Sequence, residues 1–298
     1  MPELPDVTLY CEHVTRRVAG AALEGALVSG LNLLRTFDPP LEAAVGRTAT
    51  GARRVGKRVA IGFDDGLFLV FHLMIAGRLH WFDAPAPPKG RPLAALRFAT
   101  GTLTLTEAGT KHRASLHVVR GEDALAALDP GGLEVSACDL AAFAGRLREG
   151  DHTLKRALTD PRAFSGIGNA YSDEILHRAK LSPLRRTSQL RDDEVAALFD
   201  ATRGVLAEWT AKLRAETGER FPEGVTAFRP DFAVHGRYRQ PCPACGAPVQ
   251  RIRYADHETN YCVRCQTGGK LLADRGLSRL LRGDWPRTLE ELEELKRG

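Results

Sequence analysis

The spacing of apolar residues divides the chain into a leading helix, a region of short strands and a region of helices. Residues 7–18 predict the helix, because their apolar side chains recur at helical spacing and Gly20 follows as a stop signal. The residues on this apolar stripe are Val7, Tyr10, Cys11, Val14 and Val18. From about residue 26 to residue 118 the pattern changes to short runs rich in Val, Leu, Phe and Thr, which are typical of β-strands.

Turn residues join these runs into hairpins. Residues 58–73 predict one hairpin with Asp65-Gly66 in its turn, and residues 93–106 predict another that turns near Thr100-Gly101. Regular short strands joined by such turns favour a β-sandwich or a barrel, entered here by one helix.

The strand pattern ends near residues 129–135, and helical spacing takes over across residues 136–212. Residues 213–240 are rich in Arg, Gly and Pro and predict an irregular segment. In the tail, Thr288 and Glu291 form a capping box for a short acidic helix, which we expect to pack back on the preceding segment. The predicted domains are residues 1–130, 131–232 and 233–270, followed by a C-terminal extension at 271–298.

Composition narrows the class of protein only slightly. Of the 298 residues 43% are hydrophobic, which is enough for one large core or two moderate ones. A net charge of +5 is weak evidence for a polyanionic partner such as nucleic acid. No apolar run approaches the ~20 residues of a membrane helix, and no secretory leader pattern opens the chain. We therefore expect no membrane partner and a cytoplasmic location.

Four cysteines carry the most specific signal. They form two pairs, each with the spacing Cys-x-x-Cys, and sixteen residues separate the pairs: Cys242, Cys245, Cys262 and Cys265. This spacing lets a β-hairpin bring four thiolates to one tetrahedral Zn²⁺, with no position left for water. We expect one structural zinc that helps this segment to fold. Basic residues on the hairpin, including Arg253 and His257, suggest a contact with phosphates, although basic hairpins are common without that role.

Three shorter motifs are ambiguous on their own. Gly166 and Gly168 precede Asn169 at the start of a predicted helix, where free backbone N–H groups form an anion site, or where the turn serves packing alone. Lys57 lies between two strand runs, either in a solvated turn or as a functional lysine. The opening MPELPDV is an ordinary helix start, since proline and acids suit a first turn, or a means of exposing the amine of Pro2.

Together these motifs resemble the formamidopyrimidine-DNA glycosylase/endonuclease VIII family over roughly residues 1–268. The matching stretches are PELPDV, GKR, FHLMIAGRL, AFSGIGNAYSDEILHRAKLSPLR and HGRYRQPCPACG with YCVRCQ. The resemblance implies an α+β multidomain fold: an N-terminal β-sandwich with a leading helix, a helix–two-turn–helix domain and a C-terminal zinc hairpin with four cysteine ligands. It also implies a monomeric, bifunctional DNA glycosylase and abasic-site lyase that acts on damaged double-stranded DNA in base-excision repair.

The resemblance assigns chemistry to the first residues. Removal of Met1 exposes the secondary amine of Pro2, which titrates near pH 8 and attacks C1′ of a damaged nucleotide. A secondary amine gives a permanently cationic iminium, which is an electron sink for strand cleavage by β-elimination. Glu3 corresponds to the general acid and base, and Asp6 stands where most members have Glu. Lys57 corresponds to a lysine that contacts DNA and donates a proton.

Other positions correspond to residues that hold DNA. Lys155 and Asn169, with Gly168 in the turn, fall where the family holds the phosphates beside a flipped nucleotide. His72 and Ile75 lie in the matched FHLMIAGRL stretch, with Ile75 at the position of an intercalating Met.

The chain departs from the family pattern at two places. The loop TEAGTKHRASL carries Lys111, His112 and Arg113 but lacks the phenylalanine of the family's wedge loop. His257 occupies the position of a phosphate-binding arginine linked to δ-elimination, and histidine is charged only part of the time at pH 7. We therefore expect β-elimination, while δ-elimination stays open.

These departures favour an alternative, a non-catalytic protein that binds damaged DNA on the same scaffold. The presence of Pro2, Glu3 and Lys57 favours the enzyme, because binding alone needs none of them at those places. A zinc-ribbon transcription or RNA factor does not account for the N-terminus.

Overall fold

The computed structural model describes residues 1–30, 32–84, 90–109, 111–226, 228–254, 257–273 and 286–297. The chain divides into two compact units. Unit 1 comprises residues 1–131 and 207–226, and unit 2 comprises residues 132–206 and 227–298.

Unit 1 consists of a leading helix, two antiparallel sheets, a short helix and residues 207–217 at the end of a long helix. Its elements are α1 (Leu4–Val18), β1 (Leu23–Val28), β2 (Ala49–Val55), β3 (Arg58–Phe63), β4 (Leu67–His72), β5 (Gly77–Asp83), β6 (Ala94–Phe98), β7 (Gly101–Glu107), β8 (Ser115–Arg120) and α2 (Glu122–Ala126). One sheet has the strand order β1-β6-β7-β5 and the other the order β2-β3-β4-β8. Side chains of both sheets and of α1 form a common hydrophobic core, so the predicted β-sandwich with a leading helix is confirmed.

Both predicted hairpins are confirmed. Strands β3 and β4 pair around the Asp65-Gly66 turn, where Gly66 has a φ of +73°, a backbone conformation that favours glycine. Strands β6 and β7 pair around Thr100. The helix α1 begins at Leu4, three residues before the predicted start at residue 7, because Pro5 suits a first turn and Asp6 caps the N-terminus.

Residues 219–226 lie in the stretch that the sequence assigns to the helical domain, but they pack in the core of unit 1. Phe221 and Val225 are both 8% exposed and belong to the same hydrophobic cluster as α1. The ring of Phe221 lies 5.8 Å from that of Tyr10 and 6.3 Å from that of His13, between ring centroids. This burial explains why a segment with an irregular sequence pattern belongs to the sandwich unit.

Unit 2 contains the predicted helices and the cysteine hairpin. Its elements are α3 (Leu140–Arg148), α4 (Leu154–Thr159), α5 (Asn169–Arg178), the first part of α6 (Asp192–Thr217), β9 (Val249–Arg253), β10 (Glu258–Cys262), α7 (Val263–Thr267) and α8 (Leu289–Arg297). Phe143 joins α3 to the rest of this core, because its ring centroid lies 4.8 Å from that of Phe164 and 5.2 Å from that of Phe199.

The C-terminal helix α8 packs back on the hairpin of β9 and β10, as predicted. Leu289 and Leu292 contact the hydrophobic cluster that contains Val249 and Tyr261. The predicted capping box is present at its Thr288 side, where the Thr288 hydroxyl accepts a hydrogen bond from the Glu291 N–H at 3.3 Å. Residues 274–285 of the predicted extension lie outside the described residues. In the described part of the chain, no helix combines the length and the apolar character needed to cross a bilayer.

Candidate functional site

The first residues of unit 1 form a buried acidic turn. Glu3 and Asp6 are each only 3% exposed, and Pro2 is buried beside them. The Asp6 carboxylate accepts a hydrogen bond from the Glu3 N–H at 3.0 Å. A capping contact of this kind fixes the backbone on which Pro2 and Glu3 lie. The aspartate side chain therefore reaches the N-cap despite being one methylene shorter than glutamate.

The terminal amine lies among charged groups. Burial lowers the pKa of the Met1 amine below its usual value, with Arg78 and Lys57 also lowering it and Glu3 and Asp6 opposing the shift. In this chain the amine is that of Met1, one residue before Pro2. Removal of Met1 would leave the free amine on Pro2, which is buried beside Glu3 and Asp6. An amine with a lowered pKa is unprotonated, and thus nucleophilic, in a larger fraction of molecules at neutral pH.

Lys57 lies in the turn between β2 and β3, after Gly56 with its left-handed φ of +57°. Burial lowers the pKa of Lys57, and the charge of Glu3 opposes this shift. The lysine is half-buried rather than freely solvated, which argues against the simple solvated turn. The structure thus brings Lys57 within electrostatic range of Glu3 and of the terminal amine.

Arg78 is a member of this cluster that the sequence did not identify. Its guanidinium donates hydrogen bonds to the backbone carbonyls of Val225 at 2.6 Å, Gly77 at 2.7 Å and Ile75 at 3.1 Å. Three carbonyl acceptors hold the cation in one orientation while leaving its charge without a carboxylate partner in these bonds. The only signal in the sequence is an arginine that follows Gly77 at the start of β5.

A second cluster of basic groups surrounds the end of β4. The pKa of His72 falls to about 4 because of burial and the nearby charges of Arg58, Lys57 and His117. Within the described residues, the Nε of Arg58 and the Nδ1 of His117 are buried and have no hydrogen-bond partner. Buried polar groups are normally paired, so these two atoms are available to water or to a polar ligand.

The remaining predicted contact residues of unit 1 are exposed. Ile75 has 59% of its surface exposed, which is unusual for a large apolar side chain in this chain. Lys111 and Arg113 lie on the exposed loop between β7 and β8. The Glu107 carboxylate supports this loop by accepting hydrogen bonds from the backbone N–H groups of Arg113 at 2.9 Å and Ala114 at 3.0 Å.

In unit 2, the four predicted metal ligands come together. The sulfur atoms of Cys242, Cys245, Cys262 and Cys265 all lie within 4.8 Å of one another. The sulfur atoms of Cys245 and Cys262 lie 3.4 Å apart, and those of Cys242 and Cys265 lie 4.0 Å apart. Zinc–sulfur bonds of about 2.3 Å in a tetrahedron require separations of about 3.8 Å, so the donor set fits a metal site with four thiolate ligands.

Helix α5 contacts the cysteine hairpin at both of its ends. At the start, the Asn169 amide nitrogen donates to the Glu258 carbonyl at 3.0 Å. In the last turn, the Nε2 of His177 lies 3.2 Å from the Cys242 sulfur. Among the described residues, the Asn169 Oδ1 is buried without a hydrogen-bond partner. The start of α5 therefore combines the positive end of a helix with an unsatisfied amide oxygen.

Lys155 lies beside this helix start. Its ammonium group donates to the Asn169 carbonyl at 2.6 Å and to the Asp173 carboxylate, and the residue is only 7% exposed. The structure therefore brings Lys155, Gly168 and Asn169 together at one helix N-terminus. Such a terminus with an adjacent ammonium group is suited to a phosphate.

Arg253 and His257 are exposed near the tip of the hairpin. The ring of His257 stacks on that of Tyr254, with 4.7 Å between centroids and 12° between planes. Two residues of the tip, 255 and 256, lie outside the described residues. The stack orients the imidazole.

Comparison with known proteins decides the family. The profile of the formamidopyrimidine-DNA glycosylase N-terminal domain matches residues 1–114, and that of the formamidopyrimidine-DNA glycosylase H2TH domain matches residues 128–217. The chain belongs to the formamidopyrimidine-DNA glycosylase family. The sequence resemblance is thereby confirmed, together with the expected fold.

Members of this family resemble the chain over most of its length. The formamidopyrimidine-DNA glycosylase of Roseiflexus sp. is 32% identical over 274 residues, which cover 89% of this chain and all of that protein. The crystal structure of the MutM (Fpg) protein from Thermus thermophilus has a TM-score of 0.74 at 31% identity, covering 89% of this chain and 98% of that one. A complex of Lactococcus lactis Fpg with DNA containing an abasic site has a TM-score of 0.78 at 24% identity, covering 89% and 99%, and shows the shared fold.

Proposed function

We propose that this protein is a DNA glycosylase and abasic-site lyase that excises damaged bases, with the nitrogen of Pro2 as the nucleophile. The observation that carries the proposal is the buried turn in which Pro2 lies beside Glu3 and Asp6. Burial and the charges of Arg78 and Lys57 lower the pKa of the amine of Met1, the residue that precedes Pro2. Membership in the formamidopyrimidine-DNA glycosylase family supports a substrate of damaged DNA.

The proposed reaction begins with the lone pair of the Pro2 nitrogen. This pair forms a bond to C1′, and the glycosidic bond breaks with its electrons on the departing base, which takes up a proton. The nitrogen, cationic after the attack, loses its N–H proton. Glu3 donates a proton to the sugar oxygen as the ring opens, and the nitrogen becomes an iminium. Loss of a C2′ proton to a base and departure of the 3′ phosphate then cleave the strand by β-elimination.

Residues in and around the acidic turn support this step. Lys57 contacts the DNA beside the reacting sugar and supplies a proton. Asp6 keeps the Glu3 backbone in place through its capping hydrogen bond, so we assign it a positioning role in addition to its charge. Arg78 helps to keep the amine unprotonated, because a fixed positive charge disfavours a second one nearby.

The start of α5 is proposed to hold phosphates of the DNA backbone. Lys155 and Asn169 supply an ammonium group and a side-chain amide, and Gly168 allows close approach of the backbone. His72, Ile75, Lys111, Arg113, Arg253 and His257 are proposed as further DNA contacts. Zinc bound by Cys242, Cys245, Cys262 and Cys265 would hold the hairpin together and supply no reacting group.

Borohydride trapping on a duplex with an abasic site tests the proposal. Borohydride reduces an iminium to a stable amine, so the wild-type protein should give a covalent adduct that is visible on a denaturing gel. Pro2→Gly, or one extra residue before Pro2, should reduce the adduct strongly. Pro5→Ala is the matched control, because it removes a proline from the same turn while leaving the proposed nucleophile.

A non-catalytic protein that binds damaged DNA is the second candidate. The specific observation in its favour is the loop between β7 and β8, which has no phenylalanine to fill the gap left by a flipped base. Normal binding of abasic DNA with no trapped adduct would establish this alternative and refute the enzyme. Unchanged trapping by Pro2→Gly would place the nucleophile elsewhere.

A further inference from the structure

A buried carboxylate connects the residues proposed to hold phosphates, and the proposed reaction does not use it. Asp173 lies on α5, and its side chain has no exposed surface. Its Oδ1 is bonded to the Lys155 ammonium group. Its Oδ2 accepts hydrogen bonds from the Asn260 N–H at 3.1 Å and from the His235 Nδ1 at 2.7 Å. One carboxylate therefore gathers donors from three separate segments of unit 2.

The position of Lys155 is electrostatically unfavourable without an anion. Its ammonium group lies at the first turn of α5, where the positive end of the helix dipole repels a cation. Asp173 supplies one negative charge there. The ammonium group has three N–H bonds in a tetrahedral arrangement, and the Asn169 carbonyl and Asp173 accept two of them. These two contacts fix the direction of the third.

The Asp173 carboxylate is in turn fixed by the cysteine hairpin. The Asn260 N–H belongs to β10, two residues before the metal ligand Cys262. The Asn260 side chain also accepts a hydrogen bond from the Gly236 N–H at 2.8 Å, next to His235. The side-chain exposures of His235 and Asp173 are 4% and 0%, so the protein encloses both side chains.

We propose that Asp173 is a positioning residue that directs the third N–H of Lys155 to a DNA phosphate at the start of α5. The hairpin then contributes to phosphate binding through the Asn260 backbone and Asp173. This inference rests on the proposed function, since it takes Lys155 as a phosphate ligand.

The charge of Asp173 by itself would weaken phosphate binding, whereas the proposed positioning role strengthens it. A carboxylate near a phosphate repels it, so loss of Asp173 would tighten DNA binding if its charge were all that mattered. Positioning predicts weaker binding, because the Lys155 ammonium group would lose one of its two fixed contacts. The sign of the change in affinity therefore separates the two effects.

The experiment is a double-mutant cycle on DNA affinity. Binding of a duplex with a reduced abasic site is measured over a range of KCl concentrations for wild type, Lys155→Met, Asp173→Ala and the double variant. The slope of log K against log salt is negative, and each lost phosphate contact makes it shallower by about 0.9. A lower slope below means a shallower one. We expect Asp173→Ala to weaken binding about tenfold and to lower the slope as Lys155→Met does, with no further loss in the double variant. Asp151→Ala, which removes an exposed aspartate paired with Arg186 in the same unit, should keep the slope.

Three results would overturn the inference. Asp173→Ala that binds as tightly as wild type or more tightly, while Lys155→Met loses a contact, would leave Asp173 as a counter-charge only and the proposed function intact. Additive losses in the double variant would also refute it. A slope in Lys155→Met equal to that of wild type would show that the lysine does not bind a phosphate. Failure of borohydride trapping in wild type would refute the proposed enzymatic activity alone and would leave this inference intact. Should Asp173→Ala lose its zinc, Asp173→Asn, which keeps the side-chain volume, replaces it in the same cycle.

Discussion

Removal of the Asp6 carboxylate should loosen the start of α1 and the backbone that carries Pro2 and Glu3. In Asp6→Ala the Glu3 N–H loses its acceptor at a position that is only 3% exposed, so water cannot readily replace it. Loss of an ordinary N-cap lowers the free energy of unfolding by about 1 kcal/mol, and a buried donor left without an acceptor lowers it by about 1–3 kcal/mol. The two figures describe the same hydrogen bond and are not summed. We expect a loss of about 2 kcal/mol.

Native-state hydrogen exchange of the amides in the first turns of α1 measures this loss locally. A destabilisation of about 2 kcal/mol corresponds to roughly thirtyfold faster exchange for amides that open with this segment. The borohydride adduct should fall as well, because Glu3 would no longer be held in one position. Asp6→Asn retains an oxygen acceptor and should lose less than Asp6→Ala in both measurements.

Glu12→Ala is the matched control on the same helix. Glu12 pairs with Arg214 at a partly exposed position, and exposed ion pairs contribute about 0–1 kcal/mol. Exchange in the first turns of α1 should therefore stay close to that of wild type. If Asp6→Ala exchanges no faster than Glu12→Ala, the capping hydrogen bond does not stabilise this turn, and the positioning role of Asp6 is refuted.

Two other predictions concern the metal and the pH dependence. Chelation of zinc should weaken DNA binding while exchange in unit 1 stays unchanged, because the metal ligands lie in unit 2; simultaneous loss of protection in both units would contradict this. The pKa of His72 is about 4 in the folded protein and near 6.5 in the unfolded chain. As the pH drops from about 6.5 towards 4, the unfolded chain binds a proton at this position before the folded protein does, so the free energy of unfolding falls. His72→Asn should reduce this acid sensitivity in urea unfolding, and an identical pH profile would show that His72 does not cause it.

The parts of the fold that follow from local sequence could be predicted. Asp65-Gly66 determines a turn through its own backbone preferences, and the stripe from Val7 to Val18 determines a helix through its own periodicity. The four cysteines are equally clear, because metal coordination imposes a spacing that few other functions require. The β-sandwich, the helical region and the cysteine site could be predicted for these reasons.

The parts that depend on contacts between distant segments could not be predicted. Asp173 lies eighteen residues from Lys155 and sixty-two from His235, and no periodic pattern relates these positions. Phe221 lies in a stretch rich in Arg, Gly and Pro, whose local pattern conceals its burial against α1. Arg78 donates its hydrogen bonds to backbone carbonyls, which every residue has, so the sequence does not reveal these partners. Tertiary partners therefore decide these roles.

The contacts of α5 at both ends make it inseparable from the cysteine hairpin when parts are exchanged between relatives. A chimera that received another protein's hairpin would need acceptors and donors to match Asn169 at one end of the helix and His177 at the other. It would also have to supply the backbone N–H groups of residues 233–235, which bind the Glu174 carboxylate. The helix and the hairpin must therefore be exchanged together, and substitutions in one limit the substitutions that the other tolerates.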